Sequence, residues 1–561
     1  MTVKKAKAVV SKRQLQLEMG LSEAAVRQAR AERPAVGLRK AREAATIAVR
    51  MAQSQREISI SEFFAKNRHL LGFDNPKKAL LTTIKEAVDN SLDACEEARI
   101  LPEITIRIEP VPDRVDQFRV TVEDNGPGIL KAQIPKIFGK LLYGSKFHRL
   151  KMSRGQQGIG ISAAGLYGQL TTGRPIEVIS KVENAHKANR LEIKIDTAAN
   201  KPIVVAEEEM GWDRTSGTSV TIVLEAKYQK GRQSVDDFVR QCLVSNPHAT
   251  FHYHGPENEV LHFEREVNGL PPEPKEIKPH PYGVELGVLV KMARQTKARN
   301  VRAFLVNDFS RVSPKIADEI LQRAGLEPGR SVSHLGDGEV ERISEAIKKV
   351  KIMAPPTNCV VPMGEEAILK GLKREIEADF YAATTRSPAV YRGNPFVIEA
   401  GIAYGGKASP EEPVMVLRYA NRVPLLYQQS ACVIHKAVVK NDWRKYGLNH
   451  PKGALPIGPM TVLIHMASVW VPFTSESKEA IADYPEIRNE IRLAIQECGR
   501  KLGLFISKRQ RSLESERKAS YIEKYIPHIG LALKEMLQLT EKQEQNCIGK
   551  LRKILERSRV P

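Results

Sequence analysis

The stretch KEAVDNSLDACEEA, residues 85–98, holds more acid and amide groups than a solvated helix needs. Wound at about 100° per residue, it sets Glu86, Asn90, Asp93 and Glu97 on one narrow stripe. Leu81, Ile84, Val88, Leu92 and Cys95 fall on the opposite side, which predicts a core-facing seam. Like charges at these spacings repel by about a few tenths of a kcal/mol per pair, so the stripe must face something that offsets the cost. Two later segments carry groups suited to a nucleotide. VEDNGPGI ends a strand in Asp124-Asn125-Gly126-Pro127-Gly128. A carboxylate there can accept a hydrogen bond from an exocyclic amine such as adenine's, and the glycines let a ligand approach the backbone. A plain turn is the alternative. In SRGQQGIGISAAGLYG, Gly155, Gly158 and Gly160 open a helix, the arrangement in which free N–H groups and the helix dipole meet a phosphate. The loop lacks the GK[ST] ending of a Walker A motif, and no strand–GxGxxG–helix unit accompanies it.

The elements that must position these groups read as α/β. Residues 58–76 form a short helix and a turn before the acidic helix. Strands are expected at 103–110, 118–129, 190–196 and 218–225, an α/β sandwich with antiparallel pairing. The proline-rich run at 265–282 is a connector, and 284–350 is helical in pattern. A second boundary at 351–362 opens another α/β region, with strands at 414–427 and 461–473 and a helix from about Glu476 to Ser507. The expected organisation is a basic extension (1–56), an α/β sandwich domain (57–278), a helical module (279–356), a second α/β domain (357–521) and a helical, polar C-terminal segment (522–561).

Composition narrows the class. A chain of 561 residues needs several cores. No apolar run approaches the roughly 20 residues of a membrane span, and the first residues lack the apolar segment of a secretory signal, so no membrane partner and an intracellular location are expected. The six cysteines make no C-x-x-C and read as reduced structural thiols. HATFHYH alternates His248, His252 and His254 with Phe251 and Tyr253 as a half-buried strand does, which weighs against a metal role. The net charge of +21 points to a polyanion, and about twelve Lys and Arg against about four Glu crowd the first 55 residues. Solvated helix faces are the alternative reading of the basic runs.

E-x-x-x-N on a helix, D-x-G-x-G on a strand, the Gly-rich lid and Gly217-Thr218 before a strand together resemble the GHKL ATPases. The resemblance implies a Bergerat ATPase sandwich that binds ATP with Mg²⁺. It makes Glu86 the general base, Asn90 the Mg²⁺ ligand and Asp124 the reader of adenine.

LLYGSKFHRLKMSRGQQGIGISAAGLYG, the helical LVNDF…ADEILQRAGL, and PVMVLRYANRVPLLY with DWRKYGL narrow this further. In that order, over about residues 58–530, they resemble the ATPase subunits of type IIB DNA topoisomerases. This implies a helix–two-turn–helix module and a transducer domain of ribosomal S5-like fold. It adds to the nucleotide site Ser145, Lys146 and the lid Gly155, Gln156, Gln157, Gly158, Ile159, Gly160, Ile161 and Ser162. The last lid position is often lysine in relatives and is serine here. A transducer lysine that reaches the ATPase site maps to Lys478; Lys452 lies before the strand rather than after it. Trp443-Arg444-Lys445-Tyr446 resembles a DNA-facing element, with core packing of the two rings as the alternative. The resemblance further implies ATP-driven self-dimerisation around duplex DNA and assembly of two such chains with two cleaving A subunits. Such an enzyme relaxes supercoils and separates catenanes, in an archaeal cell at its nucleoid. The chain shows no D-x-D of its own for cleavage. A MutL-like repair clamp, a histidine kinase and a non-enzymatic DNA scaffold are the rival readings.

Overall fold

A short helix α1 (Ile60–Lys66) and a 3-10 turn at Arg68–Leu71 lead into the acidic segment, which forms α2 (Pro76–Glu97). Asn75 caps α2 by accepting a hydrogen bond from the Lys78 N–H at 2.9 Å. Pro76 takes the first helical position, where its missing N–H costs nothing. The computed structural model describes residues 57–146, 149–155 and 158–559, together with Val49, Met51, Ala52 and Gln55. It divides into two compact units, 1–59 and 60–561. Nearly all of the basic extension lies outside the described residues, as do Gln156 and Gln157 of the lid.

After α2 come β1 (Glu103–Pro110), β2 (Gln117–Asp124), α3 (Ile134–Gly139) and α4 (Gly160–Thr172). Then follow β3 (Ile176–Lys181), β4 (Ala188–Asp196), β5 (Lys201–Met210), β6 (Gly217–Glu225), α5 (Val235–Ser245), β7 (Thr250–His254) and β8 (Val260–Phe263). The strands form one eight-stranded sheet in the order β5-β4-β3-β6-β2-β1-β7-β8, antiparallel except where β1 meets β7. Helices α2, α4 and α5 pack on one face around a core that includes Ile84, Val88, Leu92, Ile104, Ile106, Leu166 and Phe238. Strand β2 stops at Asp124 rather than running on to 129. There the Asp124 carboxylate takes the Gly126 N–H at 2.9 Å, and Pro127 has no N–H for a ladder. In β7, Phe251 and Tyr253 are buried while His252 and His254 are half-buried, the alternation expected of it.

No helix or strand intervenes between Phe263 and Pro281, the proline-rich connector. Next come α6 (Leu286–Gln295), α7 (Val301–Asp308), α8 (Pro314–Ala324) and α9 (Asp337–Lys349), which enclose a core of their own around Phe304, Leu305, Ile320 and Ile343. Asn300 and Ser313 cap α7 and α8 with side-chain oxygens.

The second sheet follows α10 (Glu365–Glu375) and comprises β9 (Phe380–Thr385), β10 (Ala389–Tyr391), β11 (Asn394–Tyr404), β12 (Met415–Ala420), β13 (Val423–Pro424) and, after α11 (Val433–Lys440), β14 (Met460–Ser468). Its order is β10-β11-β14-β12-β13, with β9 also on β11 and β12 parallel to β14. Every residue of β14 is buried, and the strand ends at Ser468 rather than running on to 473. The run 414–427 is two strands rather than one, because Asn421 and Arg422 adopt φ of 48° and 68° and reverse the chain.

The helix expected from Glu476 begins instead at Pro485, as α12 (Pro485–Leu537). Residues 473–481 close a small loop, with Thr474 N–H bonded to Ala480 O at 2.9 Å and Phe473 bridged to Ile481. Helix α12 packs on this sheet, and α13 (Glu541–Arg559) folds back on its far end through Ile526, Ile548 and Leu555. Trp443 is wholly buried in the sheet's core and donates its indole N–H to Val438 O at 2.8 Å. Tyr446 packs so tightly on α12 that a side chain at Gly499 would lie 2.5 Å from its ring. Arg444 and Lys445 are exposed. Among the described residues no helix is long and apolar enough to cross a membrane.

Candidate nucleotide site

A cavity of about 500 Å³ opens between α2, the end of β2 and the segment leading into α4. Its lining includes Glu86, Asn90, Asp124, Ser145, Lys146, Gly155, Gly158, Ile159, Gly160, Ile161, Ser162 and Lys478, all of the described residues that the sequence nominated for the site.

At one end stands Asp124, buried at the end of a central strand. Ser91 of α2 donates to its Oδ2 at 2.7 Å, and the N–H groups of Gly126 and Thr218 donate to Oδ1 at 2.9 and 3.2 Å. Burial raises this carboxyl above its ordinary range, and the three hydrogen bonds oppose that rise without cancelling it. Gly217 is required here. Its φ is 145°, and a Cβ would stand 2.1 Å from the Asp124 carbonyl oxygen. Leu71, Phe73, Val122, Ile129 and Ile137 add an apolar lining.

The other end is crowded with charge. Lys478 lies in the 473–481 loop with φ of 53°, not on a helix, and is buried to 4 % exposure. Its Nζ sits 4.0 Å from Glu86 Oε2 and donates to the Arg154 carbonyl at 3.3 Å. Burial alone would lower this ammonium's pKa, but Glu86, Asp89 and Asp93 outweigh it and hold the group charged. Glu86 in turn lies against the first residue of α4, and a Cβ at Gly160 would fall 1.8 Å from its Oε2. Ser162 is buried and donates to Ile159 O at 2.9 Å, within the first turn of α4. Asn90 is the exposed position in the middle of α2 and lies in the mouth of the cavity.

The stripe is not a solvated face with one repelling row. Asp93 is buried and bound by Lys146 Nζ at 2.5 Å, Arg154 Nη1 at 3.0 Å and the Gly155 N–H at 3.1 Å. Burial pushes its carboxyl up, yet the Lys146 and Arg154 charges outweigh this and hold it below the ordinary range. Glu97 turns outward to Lys151 at 3.5 Å.

Four charged groups that the sequence reading passed over complete this end. Arg154 bonds Glu96 through both terminal nitrogens, at 2.9 and 2.7 Å, and Asn246 at 2.6 Å. His248 adds a 2.7 Å contact to Glu96, whose carboxyl burial would raise but Arg154 and His248 hold well below the ordinary range. Asp89 is 2 % exposed, with one oxygen lacking a hydrogen-bond partner, and burial raises its pKa to about 7 against the charges of Lys85 and Lys478. Lys85 is buried, which lowers its pKa, and donates to Ser477 O at 3.3 Å. The signal for Arg154 was its place in SRGQQG, directly before a loop that must return to an acidic helix.

Residues 75–227 match the family described as "Histidine kinase-, DNA gyrase B-, and HSP90-like ATPase", and residues 355–518 match "Topoisomerase VI B subunit, transducer". The B subunit of the type 2 DNA topoisomerase 6 of Methanococcoides burtonii is 51% identical over 497 residues, 88% of this chain and 79% of that protein. The protein of the same name from Archaeoglobus fulgidus is 45% identical over 511 residues, 91% of this chain and 84% of its own length. That from Sulfurisphaera tokodaii is 39% identical over 485 residues, 85% and 90% of the two chains. With an ATPase half and a transducer half in one chain, and relatives this similar over most of their length, the chain belongs to the family of type 2 DNA topoisomerase 6 B subunits, the ATP-dependent halves of type IIB DNA topoisomerases.

Proposed function

We propose that this cavity holds Mg·ATP, with adenine at Asp124 and the triphosphate between Glu86, the lid and Lys478. The observation that carries the reading is the burial of Lys478 within 4.0 Å of Glu86, in the cavity that Asp124 closes at its other end. Asp124 keeps lone pairs for an exocyclic amine beyond those its three donors use. The N–H groups opening α4 face the phosphates, which suits an anion. Glu86 accepts the proton of an attacking water, and little other covalent chemistry is required of the protein. Lys478, kept charged by its carboxylate neighbours, meets the terminal phosphate only while that phosphate is present, so its loop senses hydrolysis.

Mg²⁺ suits the donor set. Among the described residues no cluster of three or more His, Cys, Asp or Glu could hold a metal alone. A cation that takes one or two protein oxygens and completes its shell with phosphate and water needs no such cluster. Asn90 would hold it, from the exposed position of α2 in the mouth of the cavity. When bound, the ion neutralises phosphate charge.

We extend the proposal to partners. ATP draws two copies together around duplex DNA, two topoisomerase VI A subunits cut a second duplex, and the assembly works at the nucleoid of the cytoplasm. The net charge of +21 supports a polyanionic partner. The test is ATP hydrolysis by the full chain, with and without duplex DNA and the cleaving A subunits, beside Glu86→Ala. The expected result is a variant that binds ATP and does not turn it over. Equal turnover by variant and wild type would remove Glu86 from the mechanism.

A further inference from the structure

The turn between β12 and β13 touches no part of the nucleotide cavity, yet it is built at some conformational cost. A two-residue hairpin turn with both φ positive favours Asn-Gly, and here the second position is arginine at φ 68°. L side chains rarely adopt that conformation unless the surroundings impose it. The imposing groups are on three sides. The Arg422 N–H donates to His465 Nε2 at 3.0 Å, and His465 Nδ1 lies 2.7 Å from Glu399, both side chains wholly buried. Ser245 donates to the Arg422 carbonyl at 2.7 Å. The Arg422 guanidinium reaches Pro362 O at 3.3 Å.

Asn421 shows what the turn is for. Its Oδ1 accepts the Ser468 N–H and its Nδ2 donates to Ser468 O, both at 2.9 Å, which locks the turn to the end of β14. The same Nδ2 donates to Ser153 O, also at 2.9 Å. Ser153 is the middle of three consecutive residues at the base of the lid, each tied to the transducer. The Met152 N–H bonds Cys359 O at 2.9 Å, and the Arg154 carbonyl accepts from Lys478. The Lys478 tie depends on a charge that also answers to Glu86, whereas the Asn421 tie is between neutral groups fixed by a sheet.

We infer that Asn421 is a positioning residue for ATP binding: it anchors residues 152–154, at the base of the lid, to β14 through the Ser153 carbonyl, without contact with the nucleotide. This rests on the reading that the Gly155–Ser162 lid wraps the triphosphate. An amide NH₂ has two protons, and Asn421 spends one on β14 and one on the lid. Loss of the second leaves the charges of the cavity untouched and loosens residues 152–155 against the transducer. The triphosphate is then held less long.

The experiment measures release of a non-hydrolysable ATP analogue from the full-length chain, and KM and kcat for ATP. Asn421→Gly keeps a turn that tolerates positive φ and removes the donor. Asn421→Asp keeps size and the acceptor for Ser468 N–H but, when ionised, has no donor, and it carries the test at pH 8 if the glycine variant does not fold. Tyr427→Phe is the control. It removes a 3.2 Å bond from the same segment to Gln233 O, away from the lid. The expected result is about tenfold faster release and a parallel rise in KM for the Asn421 variants, with kcat within about twofold. Tyr427→Phe should release at the wild-type rate. Wild-type release from the Asn421 variants, or equally fast release from Tyr427→Phe, would overturn the inference. A wild-type chain that does not bind the analogue would instead sink the nucleotide reading itself, and this inference with it.

Discussion

The two ends of the nucleotide cavity are built in different ways. At the Asp124 end every polar contact comes from the first sheet and the helix on it: Ser91, Gly126 and Thr218, with one carboxylate and no buried cation. At the Glu86 end, Lys146 and Arg154 from the segment before α4 and Lys478 from the 473–481 loop converge on Asp93, Glu96 and Glu86. The Asp124 end is local and complete within one core. The Glu86 end is a junction, where the first α/β domain and the transducer meet at the same charges. On the proposed reading, hydrolysis and domain coupling share groups, while base recognition stands apart.

Four changes would break or sharpen that contrast. The largest effect should come from Arg154→Met, which strips Glu96 and Asp93 of a buried partner. We expect a stability loss of about 5 kcal/mol in urea denaturation. A loss below about 1 kcal/mol would mean that Lys146 and His248 hold the junction without it. Next is a pH effect. Folded Asp89 keeps its proton to about pH 7, while the unfolded chain loses it near 3.8. The stability this group contributes is therefore full below about pH 4 and is lost as pH rises to 7. Relative to Asp89→Asn, the wild type should weaken by up to about 4 kcal/mol across that window and change no further above it. A flat difference between the two unfolding curves would place Asp89 in water.

Gly160→Ala comes third. The new methyl group occupies the place of the Glu86 carboxylate, so hydrolysis should fall about a hundredfold while analogue binding falls far less. Binding and turnover lost together would indicate that the junction cannot be separated from the rest of the pocket. The smallest change is Asp124→Asn, expected to weaken ATP binding about tenfold and to leave the unfolding midpoint nearly unmoved. A large stability loss there would erase the contrast, because the Asp124 end would then be structural too.

How far each end was legible follows from the same difference. Glu86, Asn90 and Asp124 sit in short motifs whose spacing already places them on a helix face or a strand end. Lys478 was reachable only through resemblance to a family, because nothing near it in sequence names Glu86. The helix expected from Glu476 shows why. S-E-S-K-E-A-I-A-D has helical propensity, but the Phe473–Ile481 bridge and the Thr474–Ala480 bond close the segment into a loop that drives Lys478 inward. The real helix start is Pro485. Likewise, DWRKYGL suggested an interleaved aromatic and basic surface, and the fold buries Trp443 while leaving Arg444 and Lys445 outside.

By itself the sequence determined the elements, the two α/β regions with a helical module between them, and the groups whose reach is one helical turn or one strand end. Local propensity and spacing suffice for these. The tertiary structure alone decided which buried charges share a partner: Arg154 with Asp93 and Glu96, Lys478 with Glu86, and Asn421 with the lid. A buried charge or amide is placed by whatever surrounds it in space, and those neighbours lie tens to hundreds of residues away along the chain.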